Sequence, residues 1–246
     1  MGLILLAGGP IFSDEFLYLD LGLRNVIEPS YGNRYFHVYL QKLFVSILPT
    51  PLLGVRVFWS LLIAISTALV YFNARTITKD SSIIHGLLGV AFFFAFPLIK
   101  EYSGEPAVDI TAMTMTVIYL SVYLWGVKNP KKLPKTLFLL GLLSFLSLKT
   151  KETTIFINIL LAGFLIEKFK EKITIKDLFI YFRPFLIGIA LGIGIFIILD
   201  SIFLGKPFFA IAPSTFGSIF THYDFGAGFF NGPTSWYSVY FLDELL

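Results

Sequence analysis

Residues 178–199 read LFIYFRPFLIGIALGIGIFIIL, an apolar run that contains one arginine and one proline. A helix of about 20 predominantly apolar residues is long enough to cross the hydrocarbon core of a membrane. Residues 52–74, 82–99 and about 107–127 have the same character. Two shorter apolar runs, 136–148 and 153–166, lie between them and the last run. The pattern predicts an all-α integral membrane protein.

The composition agrees with a chain that is partly dissolved in lipid. Of its 246 residues 56% are hydrophobic and only 14% are charged, whereas soluble domains have roughly 45–50% and about 25%. The chain has no cysteine, which excludes disulfides, thiolate metal sites and a cysteine nucleophile. A net charge of +3, with the basic residues in loops, gives no reason to expect binding of nucleic acid.

The two ends of the chain have the character of incomplete spans. Residues 1–12 are apolar but too short to cross a membrane, and they lack the basic region and cleavage pattern of a signal peptide. We interpret them as the end of a first span whose beginning is missing, and residues 236–246 as the start of a further span. The chain 1–246 is then one transmembrane module that belongs to a longer protein.

Two short amphipathic patterns follow the first apolar stretch, within residues 13–51. The first covers about residues 16–26, after Ser13 as a plausible N-cap, and the second runs from about Arg34 to Leu48 before two prolines. Both are too short and too polar to span, which predicts helices that lie in the membrane interface.

Basic residues alternate along the chain in a way that predicts its orientation. The loops 75–80, 128–135 and 167–177 are rich in lysine and arginine, and such loops remain on the cytoplasmic side. Residues 13–51, 100–108, 149–152 and 200–235 are then external. Within the last long run, Gly188 and Gly192 have the GxxxG spacing that permits close contact between helices.

The external side carries charges of both signs close to the ends of spans, where charges are costly and tend to pair or to line cavities. Each also has a simpler explanation. Asp14 and Glu15 suit the first turn of a helix, and Asp109 could pair with a cation of a neighbouring helix. Lysines near an interface can extend toward water, and an arginine at the start of a span can anchor it. Histidines are more often hydrogen-bonded than metal-bound. The candidates are Asp14, Glu15, Arg34, His37, Arg56, Asp109, Lys149, Lys151 and His222.

Taken in order along nearly the whole chain, several segments resemble the GT-C class of membrane glycosyltransferases. The similarity is to the branch that contains the protein O-mannosyltransferases (glycosyltransferase family 39) and the lipid A aminoarabinosyl transferases. The segments are Asp14-Glu15 with the following amphipathic helix, Arg34-Tyr35-Phe36, Gly54-Val55-Arg56, residues 102–110, Leu148-Lys149-Thr150-Lys151-Glu152 and residues 176–181.

This resemblance implies a GT-C-type bundle of about seven spans that moves a sugar from a polyprenyl-phosphate donor to a lipid, glycan or protein acceptor outside the cytoplasm. Asp14 matches the family's catalytic acid, Asp109 its second acidic position and Lys151 the lysine of its Thr-Lys turn. His222 matches a metal-associated histidine of the aminoarabinosyl transferases, and His37 falls near their acidic metal ligand. A divalent metal ion is therefore the one cofactor suggested. Val38 replaces a lysine of the relatives.

The expected chemistry fits these residue types. A polyprenyl phosphate leaves as a stabilised anion, so one carboxylate can suffice as the general base for the acceptor hydroxyl. Asp14 is the candidate base, with Glu15 beside it, and Asp109 could orient the base or the acceptor. The leaving phosphate gathers negative charge that cations can stabilise. The candidate cations are Arg34, Arg56, Lys149 and Lys151.

Two other functions also fit a membrane protein with these charges. A transporter or flippase for a lipid-linked or anionic solute predicts charges deep in several spans and repeated halves, and no repeat is evident in the sequence. A non-catalytic subunit could keep the same fold, although the retention of Asp14, Asp109 and Lys151 argues mildly against it.

Overall fold

A computed structural model of the chain describes residues 34–78, 82–95, 108–170 and 175–211, together with the single residues 19 and 23. Asp14, Glu15 and His222 lie outside these residues. Every regular element in the described part is helical. The α-helices are α1 (Tyr35–Ile47), α2 (Pro51–Ile77), α3 (Ile83–Ala95), α4 (Val108–Lys128), α5 (Leu133–Leu148), α6 (Leu161–Lys170) and α7 (Ile175–Leu204). Short 3-10 helices cover Pro130–Lys132, Glu152–Leu160 and Phe209–Ile211.

Among the described residues, three helices are long and apolar enough to cross a membrane. They are Pro51–Ile77, Val108–Lys128 and Asp177–Leu204, which agrees with three of the predicted spans. The predicted span 82–99 corresponds to α3, of which the structure describes the 13 residues Ile83–Ala95; residues 96–99 lie outside the described part of the chain.

Local signals explain where the long helices begin and end. The two prolines around Thr50 prevent α1 from continuing. Thr50 then caps α2, since its hydroxyl accepts a hydrogen bond from the Leu53 N–H at 3.3 Å, and Pro51 occupies the first helical position. Near the end of the described chain, α7 ends at Leu204, before Gly205. The φ of Gly205 is +68°, the left-handed conformation that ends many helices.

The glycines of α5 and α7 bring these two helices into close contact. A Cβ atom placed on Gly188 would collide with the Phe138 carbonyl, and one on Gly192 would lie 3.0 Å from the Phe145 ring. Gly141 of α5 meets the backbone of Phe185 in the same way. The close contact predicted from the GxxxG spacing is therefore confirmed. α5 and α7 run in the same direction, because Phe138 in the first half of α5 meets Gly188 and Phe145 near its end meets Gly192.

The same reasoning locates the basic segments. α4 and α5 are joined by the short turn at Pro130–Lys132, so α4 ends where α5 and α7 begin. α2 runs parallel to α4, because Phe58 packs in one cluster with Ile110 near the start of α4, whereas Ser66, farther along α2, is hydrogen-bonded to Thr114 at 2.9 Å. The basic ends of α2 and α4 and the beginnings of α5 and α7 thus lie at one end of the bundle. This grouping agrees with the predicted alternation of loops.

The helix α1 matches the second predicted amphipathic helix, and one of its faces is covered by protein. Gly54 of α2 allows the two backbones to meet, because a Cβ there would be 2.6 Å from the Val45 Cα. The opposite edge of α1 remains exposed at Leu43 and Ile47. The buried residues of α1 are Tyr35, His37, Val38, Tyr39, Gln41 and Val45.

Two segments differ from the prediction. The apolar run 153–166 begins as a 3-10 helix over Glu152–Leu160, although such helices rarely exceed 3–4 residues. Asn158 stabilises it, since its side-chain oxygen accepts hydrogen bonds from Tyr119 at 3.0 Å and from Ser144 at 2.5 Å. α7 also continues to Leu204, beyond the predicted end near residue 199, so Asp200 lies in a helix and not in a loop.

Candidate functional site

Two of the predicted site residues form an ion pair. Asp109 lies in the first turn of α4, and Lys151 follows the end of α5. The Lys151 ammonium donates a hydrogen bond to the Asp109 carboxylate. The side chains remain partly accessible, at 24% for Lys151 and 41% for Asp109, so both can meet a ligand.

The ion pair lies on the wall of a cavity of about 700 Å³. Most of the lining is apolar and comes from α2, α3 and α4. The apolar side chains include Val70, Phe92, Phe93, Ile110, Met113 and Val117. Three residues with hydroxyl groups also line the cavity: Thr116, Thr153 and Thr154. The site therefore combines a large apolar surface with one charged corner, which is the arrangement that an amphiphile with a charged head requires.

Backbone hydrogen bonds hold the turn that carries Lys151. The Thr150 and Lys151 N–H groups both donate to the Ser147 carbonyl, at 2.9 and 3.0 Å. The Lys151 carbonyl in turn accepts from the N–H of Thr154 at 3.0 Å and from its hydroxyl at 2.7 Å. These bonds link the end of α5 directly to the 3-10 helix and limit the positions that the Lys151 backbone can take.

Lys149 takes a different place from Lys151, although the sequence suggested the same role for both. Its side chain is completely buried, and it is not part of the cavity lining. Its carbonyl accepts a hydrogen bond from the Phe36 N–H of α1 at 2.9 Å. Burial lowers the pKa of the Lys149 ammonium to about 7, and the negative charge of Asp200 partly opposes that shift. The Lys149 side chain therefore packs in the protein interior and does not line the cavity.

His37 is buried between α1 and α4. Its Nδ1 atom shares a hydrogen bond of 2.8 Å with the hydroxyl of Thr111, two residues after Asp109. Burial lowers the pKa of His37 to about 3, the nearby Arg34 charge acts in the same direction, and Asp109 opposes both. His37 is therefore neutral at physiological pH. No group of three or more His, Asp or Glu residues that could hold a metal ion occurs within the described ranges.

The two predicted arginines lie at the starts of helices. Arg34 precedes α1 and is close enough to His37 to affect its protonation. Arg56 lies in the second turn of α2 and is partly buried. In the described part of the chain no ion pair joins Arg56 to an acid. The structure thus brings Arg34, His37, Asp109 and Lys151 to the end of the bundle opposite the basic turns.

Two residues at this end of the bundle, Tyr39 and Asp200, were not predicted as site residues from the sequence. Tyr39 donates a hydrogen bond of 2.7 Å from its hydroxyl to the Asp200 carboxylate, and both residues are buried. The available signal was a single acid directly after an apolar run of about 20 residues, since a charge in that position requires a partner. The sequence pattern by itself predicts that the span ends near residue 199, before this acid.

The comparisons with known proteins give no match: no protein-family model matches the sequence, and no similar curated protein or solved structure was found.

Proposed function

We propose that this chain is the membrane part of a GT-C-type glycosyltransferase, which moves a sugar from a polyprenyl-phosphate donor to an acceptor outside the cytoplasm. The observation that supports this proposal best is the Asp109–Lys151 ion pair on the wall of a large, mainly apolar cavity. A polyprenyl-phosphate sugar likewise combines a long apolar tail with one anionic head group.

In the proposed reaction, the acceptor hydroxyl oxygen attacks the anomeric carbon of the donor sugar. The bond from that carbon to the phosphate oxygen breaks, and the polyprenyl phosphate leaves with the electron pair. Asp14, with Glu15 beside it, accepts the proton of the acceptor hydroxyl as general base. Lys151 stabilises the charge that develops on the phosphate, which requires it to exchange part of its contact with Asp109 for the phosphate.

The remaining candidates take supporting roles in this proposal. Arg34 and Arg56 add positive charge for the phosphate at the same end of the bundle, and Asp109 orients Lys151. Any divalent metal ion would involve His37 and His222. The complete protein is expected to be a multi-pass protein of the cell membrane, with about seven spans and an active site that faces outside the cytoplasm.

The distribution of buried charge supports a transferase over a transporter. A transporter for an anionic solute is expected to have charged groups at several depths along a path through the membrane. In the described residues, the buried acidic and basic side chains other than His37 are Lys149 and Asp200, and both lie at the end of the bundle that carries the candidate site. This arrangement suits a site that opens to one side.

The proposal can be tested with membranes that contain the protein and radiolabelled polyprenyl-phosphate sugars. The wild-type protein is expected to transfer label to an acceptor, and Asp14→Asn is expected to lose nearly all transfer while the amount of folded protein stays the same. Lys131→Gln, at the opposite end of the bundle, is the matched control and should keep full activity. Movement of the intact donor across the membrane without transfer would instead identify a flippase, and near-normal activity of Asp14→Asn would refute the assignment of the base.

A further inference from the structure

The buried residues Lys149 and Asp200 are close enough for their charges to interact, and the proposed reaction uses neither. Both side chains have no exposed surface. A buried charge is costly unless a partner and hydrogen bonds compensate for its lost hydration. Asp200 is near enough for its charge to favour the protonated form of Lys149, which partly opposes the effect of burial on that lysine.

Tyr39 extends this pair to a third element. Its hydroxyl donates to the Asp200 carboxylate at 2.7 Å, and burial and the Asp200 contact both raise its pKa far above the usual range. The backbone supplies a second connection, because the Phe36 N–H donates to the Lys149 carbonyl at 2.9 Å. Two bonds from α1 therefore reach the turn after α5 and the last part of α7.

Aromatic side chains enclose these polar groups. Phe196 is completely buried and contacts Tyr39 and Phe145, with ring centroids 6.0 and 5.6 Å apart. Phe203 stacks on Tyr39 at 5.2 Å. A surrounding of low polarity strengthens each of the enclosed electrostatic contacts.

We propose that Asp200 is a positioning residue, which acts with Tyr39 and Lys149 to hold the Lys149–Lys151 turn in place between α1 and α7. Lys151 is two residues from Lys149 in this turn, so the network determines where the Lys151 ammonium stands relative to Asp109 and the cavity. The inference concerns structure and goes beyond the proposed function, which uses neither Asp200 nor Tyr39.

The absence of native cysteines allows the position of the turn to be measured directly. Spin labels on Phe156→Cys and Ile202→Cys, which replace exposed side chains of the 3-10 helix and of α7, report the distance between these elements in the purified protein. We expect a narrow distribution of distances in the parent. Asp200→Leu and Lys149→Met should each broaden it about twofold or more, because each removes one side of the electrostatic interaction between the turn and α7.

The double variant Lys149→Met/Asp200→Leu provides the decisive comparison. If the two residues act as a pair, the distribution returns toward the parent width, since no unpaired charge remains. Ser201→Ala changes the next, exposed residue of α7 and should have no effect. If Asp200→Leu does not fold, Asp200→Asn replaces it, which retains hydrogen bonding to Tyr39 and removes the charge. Single variants with the parent width, or a double variant as broad as the sum of the singles, would overturn the proposal.

A kinetic measurement separates positioning from a general effect on stability. Asp200→Asn is expected to raise the KM for the polyprenyl-phosphate donor about tenfold or more, since small displacements of a binding group have large effects, with a smaller effect on kcat. An unchanged donor KM in a variant with a broadened distribution would contradict the link to Lys151. If the wild-type protein transfers no sugar, the proposed function fails, and the spin-label distances still decide whether the network positions the turn.

Discussion

His37 is a histidine that the fold keeps neutral. It is buried on α1, and its Nδ1 shares a hydrogen bond of 2.8 Å with Thr111 on α4. The resemblance to the aminoarabinosyl transferases suggested a metal ligand, but its environment in the structure also suits a link between two helices. The unfolded chain has no comparable burial, so its histidine titrates near pH 6.5.

This difference predicts how stability depends on pH. The pKa of His37 is about 6.5 in the unfolded chain and about 3 in the folded protein. Between these two pH values, the unfolded chain binds a proton that the folded chain does not. The free energy of unfolding should therefore fall as the pH decreases through this range, by up to about 1.4 kcal/mol per pH unit.

Thermal unfolding in detergent at pH 7 and pH 5 measures this contribution. His37→Gln cannot titrate, so its unfolding temperature should fall less between the two pH values than that of the wild-type protein. Ser201→Ala, which changes an exposed residue of α7 that cannot titrate, serves as the control and should retain the wild-type slope. Equal slopes for wild type and His37→Gln would show that His37 does not contribute.

At the scale of helices, contact between α5 and α7 depends on the lack of side chains at a few positions. Gly188 lies against the Phe138 carbonyl, whereas a Cβ on Gly194, in the same helix, would meet nothing within 4 Å. Gly188→Ala is expected to destabilise the protein by about 1–3 kcal/mol, because the helices must separate to accommodate the methyl group.

Gly194→Ala is the matched control for this prediction. It adds the same methyl group to open space and should leave the unfolding temperature unchanged or raise it, since alanine favours a helix by up to about 1 kcal/mol over glycine. Both variants can be compared by thermal unfolding in one detergent. A loss of stability in both, or in neither, would contradict the close contact at Gly188.

The helices also show how far the sequence could predict the structure. The long spans α2 and α4 were predicted within a few residues, because their apolar runs are bounded by clear polar or proline signals. The end of α7 was not, since Asp200 is compatible with a helix only through its contacts with Tyr39 and Lys149, which come from distant parts of the chain. Hydropathy contains no information about such contacts.

The same reason explains which parts of the candidate site were predicted. Asp109 and Lys151 were each identified from a charge next to an apolar run, and the structure shows that they contact each other. Lys149 and Lys151 are equivalent in the sequence, and only the packing of α1 and α7 separates a buried lysine from one that lines the cavity. The pairing of Tyr39 with Asp200 could not be derived from spacing.

At the scale of the whole molecule, the bundle has two chemically different ends. One end carries the basic turn at Pro130–Lys132 and the beginnings of α5 and α7. The other carries the ion pair, the buried network and the charged residue Lys206 after α7. Basic segments remain on the cytoplasmic side. We therefore expect the Asp109–Lys151 ion pair to face the outside of the cell.

Single cysteines in the cysteine-free chain test this orientation in intact cells. Lys131→Cys and Lys206→Cys both replace exposed lysines at opposite ends of the bundle. A membrane-impermeant thiol reagent should label Lys206→Cys in intact cells and Lys131→Cys only after the membrane is opened. The reverse pattern would place the candidate site in the cytoplasm and would contradict the proposed function.

The most direct test of the central claim is the rate of sugar transfer when Lys151 loses its charge. Lys151→Gln removes the ammonium that is proposed to stabilise the leaving phosphate, and kcat/KM for the polyprenyl-phosphate donor should fall about 100-fold or more. Lys151→Arg keeps a positive charge and should retain a measurable part of the activity. A value for Lys151→Gln within about twofold of wild type, less than a 1 kcal/mol change, would show that this ion pair is not the donor site.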